Sequence, residues 1–198
     1  MSVDLAAVCV FCGSNRGARP EYERAARDVG RLLAVRGIRL VYGGASEGLM
    51  GVVAEAALAA GGPVTGVIPR GLAAREQPHH ELSELRLVDT MHERKALMAE
   101  RSDAFLVLPG GLGTLEEAFE AVSWTQLGIQ DKPTGFLNIG GFYDPVMRQL
   151  DRMVAEGFVR REHRDVIYFD DRPAGLLEQL AGYDAPASHK WIDRDLAR

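Results

Sequence analysis

The stretch from Phe105 to Phe119 constrains the fold more than any other part of the sequence. It begins with four apolar residues, continues through Pro109 and three glycines within four residues, and ends in an amphipathic run. A short apolar run is typical of a buried parallel strand, and closely spaced glycines allow a sharp turn with uncovered N–H groups. The pattern therefore predicts a strand, a turn and a helix, with Thr114 as N-cap and Glu117 completing a capping box.

A helix that follows such a turn is predicted to bind an anion. The N–H groups of its first turn have no intrahelical partners, and the helix dipole adds positive potential at the same place. An alternative is a tight turn that binds no ligand, although three glycines are more than a turn alone requires. The predicted phosphate-binding residues of this turn are Gly110, Gly111, Leu112, Gly113 and Thr114.

Repeated strand–helix units account for most of the 198 residues. Apolar strands at 5–12, 38–42 and 64–68 alternate with helical patterns at 20–36 and 49–60, and further strands are predicted at 85–88, 105–108, 133–137 and 166–169. This βαβ order predicts an α/β fold with a doubly wound, mostly parallel sheet flanked by helices, which is Rossmann-like. We expect a single domain over 1–198 with a peripheral C-terminal tail at about 184–198.

Three of the predicted strands end in glycine turns. In a doubly wound sheet, ligands bind at the carboxyl ends of the strands, so we expect all three turns to face one crevice. That arrangement would suit a nucleotide-sized ligand better than any single turn would. The turns are Gly13-Ser14, Gly43-Gly44 and Gly110-Gly111.

Two cations are predicted on the apolar side of the helix at 91–101. On a helical wheel Arg94 falls between Leu97 and Met98, and Lys95 lies close to Met91. Buried cations require an anion, such as a phosphate or a carboxylate. The alternative is that the aliphatic stems pack against the core while the charged groups remain in water.

The helix after the glycine turn carries several acidic residues. Its predicted inner face holds Leu115, Ala118, Phe119 and Val122, with Glu117 on the opposite face and Trp124 beside it. An exposed tryptophan there would be covered by a partner subunit or a ligand. Considered alone, Glu117 is more often a dipole-stabilising surface residue than a catalyst, and Glu116 and Glu120 have the same simple interpretation.

Composition and motifs exclude several classes of function. A net charge of −5 argues against a nucleic-acid surface, and no apolar run is long enough to span a membrane. Two cysteines, Cys9 and Cys12, indicate reduced thiols in a cytoplasmic protein. No histidine pair has metal-binding spacing, and Glu116 replaces the third glycine of the dinucleotide fingerprint, so neither a metal site nor a dehydrogenase is expected.

The nonapeptide from Pro109 to Glu117 matches the signature PGGxGTxxE, and Met91-His-Glu-Arg-Lys95 precedes it at a characteristic spacing. From about Val8 to Phe158 the sequence resembles the Lonely Guy (LOG) family of cytokinin-activating nucleoside 5′-monophosphate phosphoribohydrolases. The resemblance implies cleavage of the N-glycosidic bond of N6-modified adenosine 5′-monophosphates, and of AMP in some members, without a metal or cofactor.

The resemblance also assigns residues. It implies that Arg94 and Glu117 are catalytic, that Lys95 and Glu76 contact the substrate, and that the active site lies near a homodimer interface. The predicted set of binding residues is completed by Gly13, Ser14, Gly43, Gly44 and Glu116. The alternatives are a non-catalytic nucleotide sensor or carrier on the same fold and, as similar sequences are often labelled, a lysine decarboxylase.

Overall fold

The computed structural model describes residues 4–73, 79 and 81–185. Seven strands within these residues form one parallel sheet in the order β4-β3-β2-β1-β5-β6-β7. The strands are β1 (Ala7–Phe11), β2 (Arg39–Tyr42), β3 (Val64–Pro69), β4 (Glu84–Val88), β5 (Ala104–Val107), β6 (Thr134–Leu137) and β7 (Ile167–Asp170). The chain moves outward from β1 to one edge and then crosses to β5, so the strand order reverses between β1 and β5. The predicted doubly wound α/β fold is confirmed.

Helices cover both faces of this sheet. They are α1 (Pro20–Val35), α2 (Gly48–Ala59), α3 (Arg70–Ala73), α4 (Met91–Glu100), α5 (Leu112–Gln126), α6 (Asp144–Ala155), α7 (Arg161–Asp165) and α8 (Pro173–Ala181). A short 3-10 helix, Ile139–Gly141, follows β6. Within the described part of the chain, no helix combines the length and the apolar character that crossing a membrane requires.

The central strands separate two hydrophobic cores because their side chains alternate between the faces of the sheet. From β1, Val8 and Val10 pack with α1, α2 and α8 in one core. Cys9 and Phe11 point to the other core, which is covered by α4, α5 and α6. All five residues of β1 are buried, as expected for a central parallel strand.

The predicted capping box at the start of α5 is wrong. The helix begins at Leu112, and its N-cap is Gly111 in an extended conformation, with no side-chain capping bond. Thr114 therefore lies in the first helical turn and is only 4% exposed. By contrast, α4 has a side-chain cap, since the Thr90 side chain accepts a hydrogen bond from the Glu93 N–H at 3.1 Å.

Other boundaries agree with the sequence patterns to within one or two residues, and two short helices were not predicted. One is α3, which follows β3 directly, and the other is α7. Glu76, which was predicted to contact the substrate, lies outside the described residues, as does the predicted tail beyond residue 185.

Candidate active site

A cleft opens at the carboxyl ends of β1 and β5, where the strand order reverses. Its volume is about 240 Å³. The Gly13 N–H donates to the Pro109 carbonyl at 3.1 Å and thereby joins the two turns that form its floor. The lining residues are Gly13, Ser14, Asn15, Arg16, Gly17, Tyr22, Leu49, Pro109, Gly110, Gly111 and Phe142. Two of the three predicted glycine turns thus meet in one crevice.

The N-terminus of α5 lies at this cleft. The Leu112 side chain is 87% exposed, and the space above Gly111 and Gly113 is open, so what these residues offer a ligand is their backbone. Gly110 is required because a Cβ atom there would overlap the Thr114 side chain that packs behind it. The first N–H groups of a helix have no intrahelical acceptors. The turn from Gly110 to Thr114 therefore has the properties of an anion site.

Arg94 is buried next to the turn that follows β2. Its side chain is 6% exposed, and Nη2 donates to the Gly43 carbonyl at 3.0 Å. Nη1 lies 3.8 Å from the Met91 sulfur, and Nε is buried without a hydrogen-bond partner among the described residues. The prediction that Arg94 is a buried cation is confirmed, and its Nε donor is unpaired among the described residues.

The turn at Gly43 and Gly44 does not line the cleft. A Cβ atom on Gly43 would overlap the Arg94 guanidinium, so this glycine makes room for the arginine. The Gly44 carbonyl accepts a hydrogen bond from the His79 N–H at 3.2 Å, and the residue packs against β3. The expectation of three turns around one crevice therefore holds for two of them, while the third turn packs against the Arg94 guanidinium.

Glu117 lies on the side of α5 that faces α4, and the prediction that it opposes the buried face is wrong. The helix turns Thr114, Ala118, Ala121 and Thr125 inward, which places Glu117 at the margin of the core. Burial raises the pKa of Glu117 to about 7, against the opposing effect of the nearby Arg94 charge. Glu117 is therefore a partly buried carboxyl that titrates near neutral pH.

Trp124 also differs from its predicted position. It is partly buried and packs against the core cluster beneath α5 instead of lying fully exposed. Leu115, Phe119 and Val122, which were predicted to form the inner face, are only partly buried. The sheet contacts this helix through its small residues, which allow close approach.

Lys95 connects α4 to α5. Its Nζ atom forms ion pairs with Glu116 and, at 2.9 Å, with Glu120, and its side chain is 7% exposed. Burial opposes its charge, but the hydrogen bonds with the two carboxylates raise the net pKa of Lys95 above its usual value. The predicted anion is thus present as protein carboxylates. Glu116 is exposed, as its simple surface interpretation requires, but Glu116 and Glu120 both pair with Lys95.

Several cleft residues were not predicted, notably Arg16, Tyr22 and Phe142. In the sequence, Arg16 is marked only by its position within a glycine-flanked turn. Tyr22 and Phe142 lie 120 residues apart in the chain, and their rings are in contact with centroids separated by 5.6 Å.

Beneath the site, Cys9 and Cys12 are free and buried, and burial raises the pKa of both thiols.

Comparison with known proteins assigns the chain to a family. The sequence model of a family described as "Possible lysine decarboxylase" matches residues 50–180. Cytokinin riboside 5′-monophosphate phosphoribohydrolase LOG4 of Arabidopsis thaliana is 47% identical over 176 residues, which cover 89% of this chain and 82% of that protein. The enzyme LOG of Oryza sativa subsp. japonica is 51% identical over 89% of this chain and 73% of its own length.

This chain belongs to the Lonely Guy (LOG) family. Solved structures with lower sequence identity share its fold. The molybdenum cofactor binding protein of Rippkaea orientalis has a TM-score of 0.67 at 20% identity, covering 89% of this chain and 96% of that chain. A molybdenum cofactor carrier protein of Chlamydomonas reinhardtii has a TM-score of 0.65 at 18% identity, covering 89% and 98% respectively.

Proposed function

We propose that this protein hydrolyses the N-glycosidic bond of cytokinin riboside 5′-monophosphates, which are N6-modified adenosine 5′-monophosphates, and that AMP is a further substrate. The products are the free base and ribose 5-phosphate. The observation that carries the proposal is the position of Arg94 and Glu117. Both side chains are buried or partly buried beside the anion-binding end of α5, in a chain about half identical to LOG phosphoribohydrolases.

The 5′-phosphate would bind at the first turn of α5. The backbone from Gly110 to Thr114 offers uncovered N–H groups there, and the Gly13-Ser14 turn closes the opposite side. A dianionic phosphate at a helix N-terminus is stabilised by both hydrogen bonds and the helix dipole. In this arrangement the phosphate fixes the nucleotide in one orientation relative to Glu117.

Glu117 provides the negative charge that the reaction requires. When the C1′–N9 bond breaks, its electron pair leaves with the base, and the sugar becomes oxocarbenium-like and positive. The Glu117 carboxylate stabilises that cation and takes a proton from the water whose oxygen bonds to C1′. The departing base takes up one proton, so that it is released as the neutral purine and Glu117 returns to its carboxylate form. A pKa of about 7 is close to the value at which a general base works best near neutral pH.

Arg94 is the cation of the site. Among the described residues it has no ion pair with a carboxylate, and its Nε donor has no hydrogen-bond partner. Two roles are compatible with this position. The guanidinium either anchors the substrate or offsets the negative charge that develops on the departing base.

The proposal is tested by incubating the protein with isopentenyladenosine 5′-monophosphate or AMP and measuring free base by chromatography. We expect turnover by the wild type, and we expect Glu117→Gln to bind nucleotide but lose at least about 99% of the activity, because the glutamine carries no charge. Binding without any turnover would instead identify a nucleotide sensor or carrier. Full activity of Glu117→Gln would exclude the mechanism. Release of carbon dioxide from lysine is not expected.

We also propose a homodimer whose interface lies near the active site. An apolar pocket between α5, α6 and α7 is lined by residues that include Phe119, Val122 and Met153. Next to it Phe158 is 80% exposed, so the surface combines a pocket with a protruding ring, as a two-fold contact between identical patches requires. Phe119 lies two residues beyond Glu117 on α5.

We further propose that the protein is located in the cytoplasm. Its two cysteines are free and buried, as is usual for proteins of a reducing compartment, and cell fractionation tests the proposal.

A further inference from the structure

We infer that Arg16 is a further substrate ligand, whose guanidinium turns from Glu23 to the 5′-phosphate when a nucleotide binds. In doing so it adds a full positive charge to the backbone site at the start of α5. The inference rests on the proposed function of the cleft and concerns a residue to which the family resemblance assigns no role.

The cleft at the ends of β1 and β5 has a single charged residue in its lining. Among the described residues that form its walls, Arg16 alone carries a charge. A helix N-terminus offers the equivalent of about half an elementary charge, whereas a phosphate monoester carries about two negative charges at neutral pH. The backbone from Gly110 to Thr114 therefore leaves most of this charge to side chains. An arginine suits the task because it can donate two parallel N–H bonds to phosphate oxygens.

The turn that carries Arg16 is fixed on both sides of this residue. Before it, the Ser14 carbonyl packs so closely against Gly48 that a Cβ atom on Gly48 would overlap it. After it, Gly17 has a φ of 75° and packs against the Tyr22 ring. Arg16 is thus held at the cleft by a defined backbone, and only its side chain has to move to reach a ligand.

The present partner of Arg16 can release it at little cost. Nη1 donates to the Glu23 carboxylate at 3.1 Å, and the Arg16 side chain is 62% exposed. Exposed ion pairs of this kind contribute little to stability. Glu23 also pairs with Arg27 at 2.6 Å, so its carboxylate keeps a cation when Arg16 leaves. Arg16 can therefore exchange a carboxylate for a phosphate without leaving either charge unpaired.

Competition between Glu23 and the phosphate for one guanidinium predicts effects of opposite sign. Removing the Arg16 guanidinium weakens the binding of a phosphate ester, whereas removing the Glu23 carboxylate frees Arg16 and strengthens it. Since the effect of Glu23 passes through Arg16, it disappears in a double variant that lacks both groups.

The test uses Arg16→Met, Glu23→Gln and the double variant, all in the Glu117→Gln background so that no nucleotide is turned over. The matched controls are Arg19→Met and Glu21→Gln, which remove a neighbouring ion pair of similar exposure that does not line the cleft. Calorimetry measures the binding of AMP and of adenosine, which lacks the phosphate. The salt concentration is about 0.15 M, at which charges more than about 8 Å apart are largely screened.

For Arg16→Met we expect AMP to bind about tenfold more weakly and adenosine to bind as in the parent. Glu23→Gln should bind AMP about threefold more tightly when Arg16 is present and no more tightly when it is absent. Both control variants should match the parent. The inference is overturned if Arg16→Met binds AMP as the parent does, if it loses affinity for AMP and adenosine equally, or if the effect of Glu23→Gln persists without Arg16.

A second readout separates this inference from the proposed function. The Nε–H signal of Arg16 is followed by nitrogen NMR in the Glu117→Gln protein and is assigned by its loss in Arg16→Met. We expect it to shift on addition of AMP or inorganic phosphate and not on addition of adenosine. That result supports the inference even if the wild type hydrolyses no nucleotide, in which case only the proposed function fails. A signal that does not move at the highest AMP concentration overturns the inference even if the enzyme is active.

Discussion

The surroundings of Glu117 make its negative charge costly in the free protein. Burial disfavours the ionised form, the neighbouring carboxylates on α5 add repulsion, and Arg94 compensates only in part. A carboxylate in this state gains when a positive charge develops beside it, as it does on the ribose during glycosidic cleavage. The same feature that favours catalysis therefore destabilises the folded protein at high pH.

This conflict predicts a pH-dependent effect of Glu117→Gln on stability. The folded pKa of about 7 exceeds the ordinary value of 4.5, so folded Glu117 retains a proton that the unfolded chain releases. The free energy of unfolding should thus fall as pH rises from about 4.5 to 7, by up to roughly 3 kcal/mol, and Glu117→Gln should remove this loss. In urea titrations we expect the variant to be more stable than the wild type at pH 8 and about equal at pH 4.5. Equal stability at pH 8 would contradict this prediction.

At the scale of elements, the strands could be predicted well because burial on both faces leaves a clear signal. All of β1 and β5 is buried, and their apolar runs stand out in the sequence. The orientation of helix α5 was harder to predict, because the large apolar residues Phe119 and Val122 were assigned to its inner face. The residues that contact the sheet are the small Ala118 and Ala121, whose lack of bulk gives a weak pattern in the sequence.

The candidate site was predictable to a similar extent. Arg94 could be placed in the interior because its position on the α4 wheel is apolar, and the turn before α5 could be placed from its glycines alone. The partners of Lys95 could not be predicted, because they depend on how α4 packs against α5. Glu116, for example, lies 21 residues beyond Lys95 in the chain. The role of Gly43 as the neighbour of Arg94 is likewise a long-range contact.

The N-terminus of α5 leads to a prediction about phosphate recognition. In Gly110→Ala the added Cβ would overlap Thr114, and the turn would have to shift away from the helix start. We expect AMP to bind at least about tenfold more weakly, a loss of about 1.4 kcal/mol, while binding of adenosine, which lacks the phosphate, changes little. Calorimetry in the Glu117→Gln background measures both without turnover.

The matched control is Gly71→Ala on α3, where a Cβ atom would meet no neighbour within 4 Å. That variant should bind both ligands like its parent. If Gly110→Ala weakened AMP and adenosine equally, the turn would shape the whole site and would not be specific for the phosphate.

At the scale of the whole molecule, the site combines both layers of the fold. Tyr22 reaches the cleft from α1 on one face of the sheet, whereas Arg94 and Glu117 belong to α4 and α5 on the other. The cleft lies where the strand order reverses, the place at which doubly wound sheets bind their ligands. On the outer side of α5 the exposed Leu112 continues this region toward the surface.

The last prediction concerns the proposed dimer. Phe158 is exposed beside the apolar pocket, and its replacement by aspartate would place a charge where two identical patches meet. We expect light scattering after size exclusion to give a dimer for the wild type and a monomer for Phe158→Asp, with AMP hydrolysis reduced at least about tenfold because the partner no longer packs against α5, the helix that carries Glu117. The control is Val35→Asp at the end of α1, on the other face of the sheet. Val35 is about as exposed as Phe158, and this variant should remain dimeric and active. A Phe158→Asp protein that stayed dimeric would place the interface elsewhere, and a fully active monomer would show that hydrolysis needs only one chain.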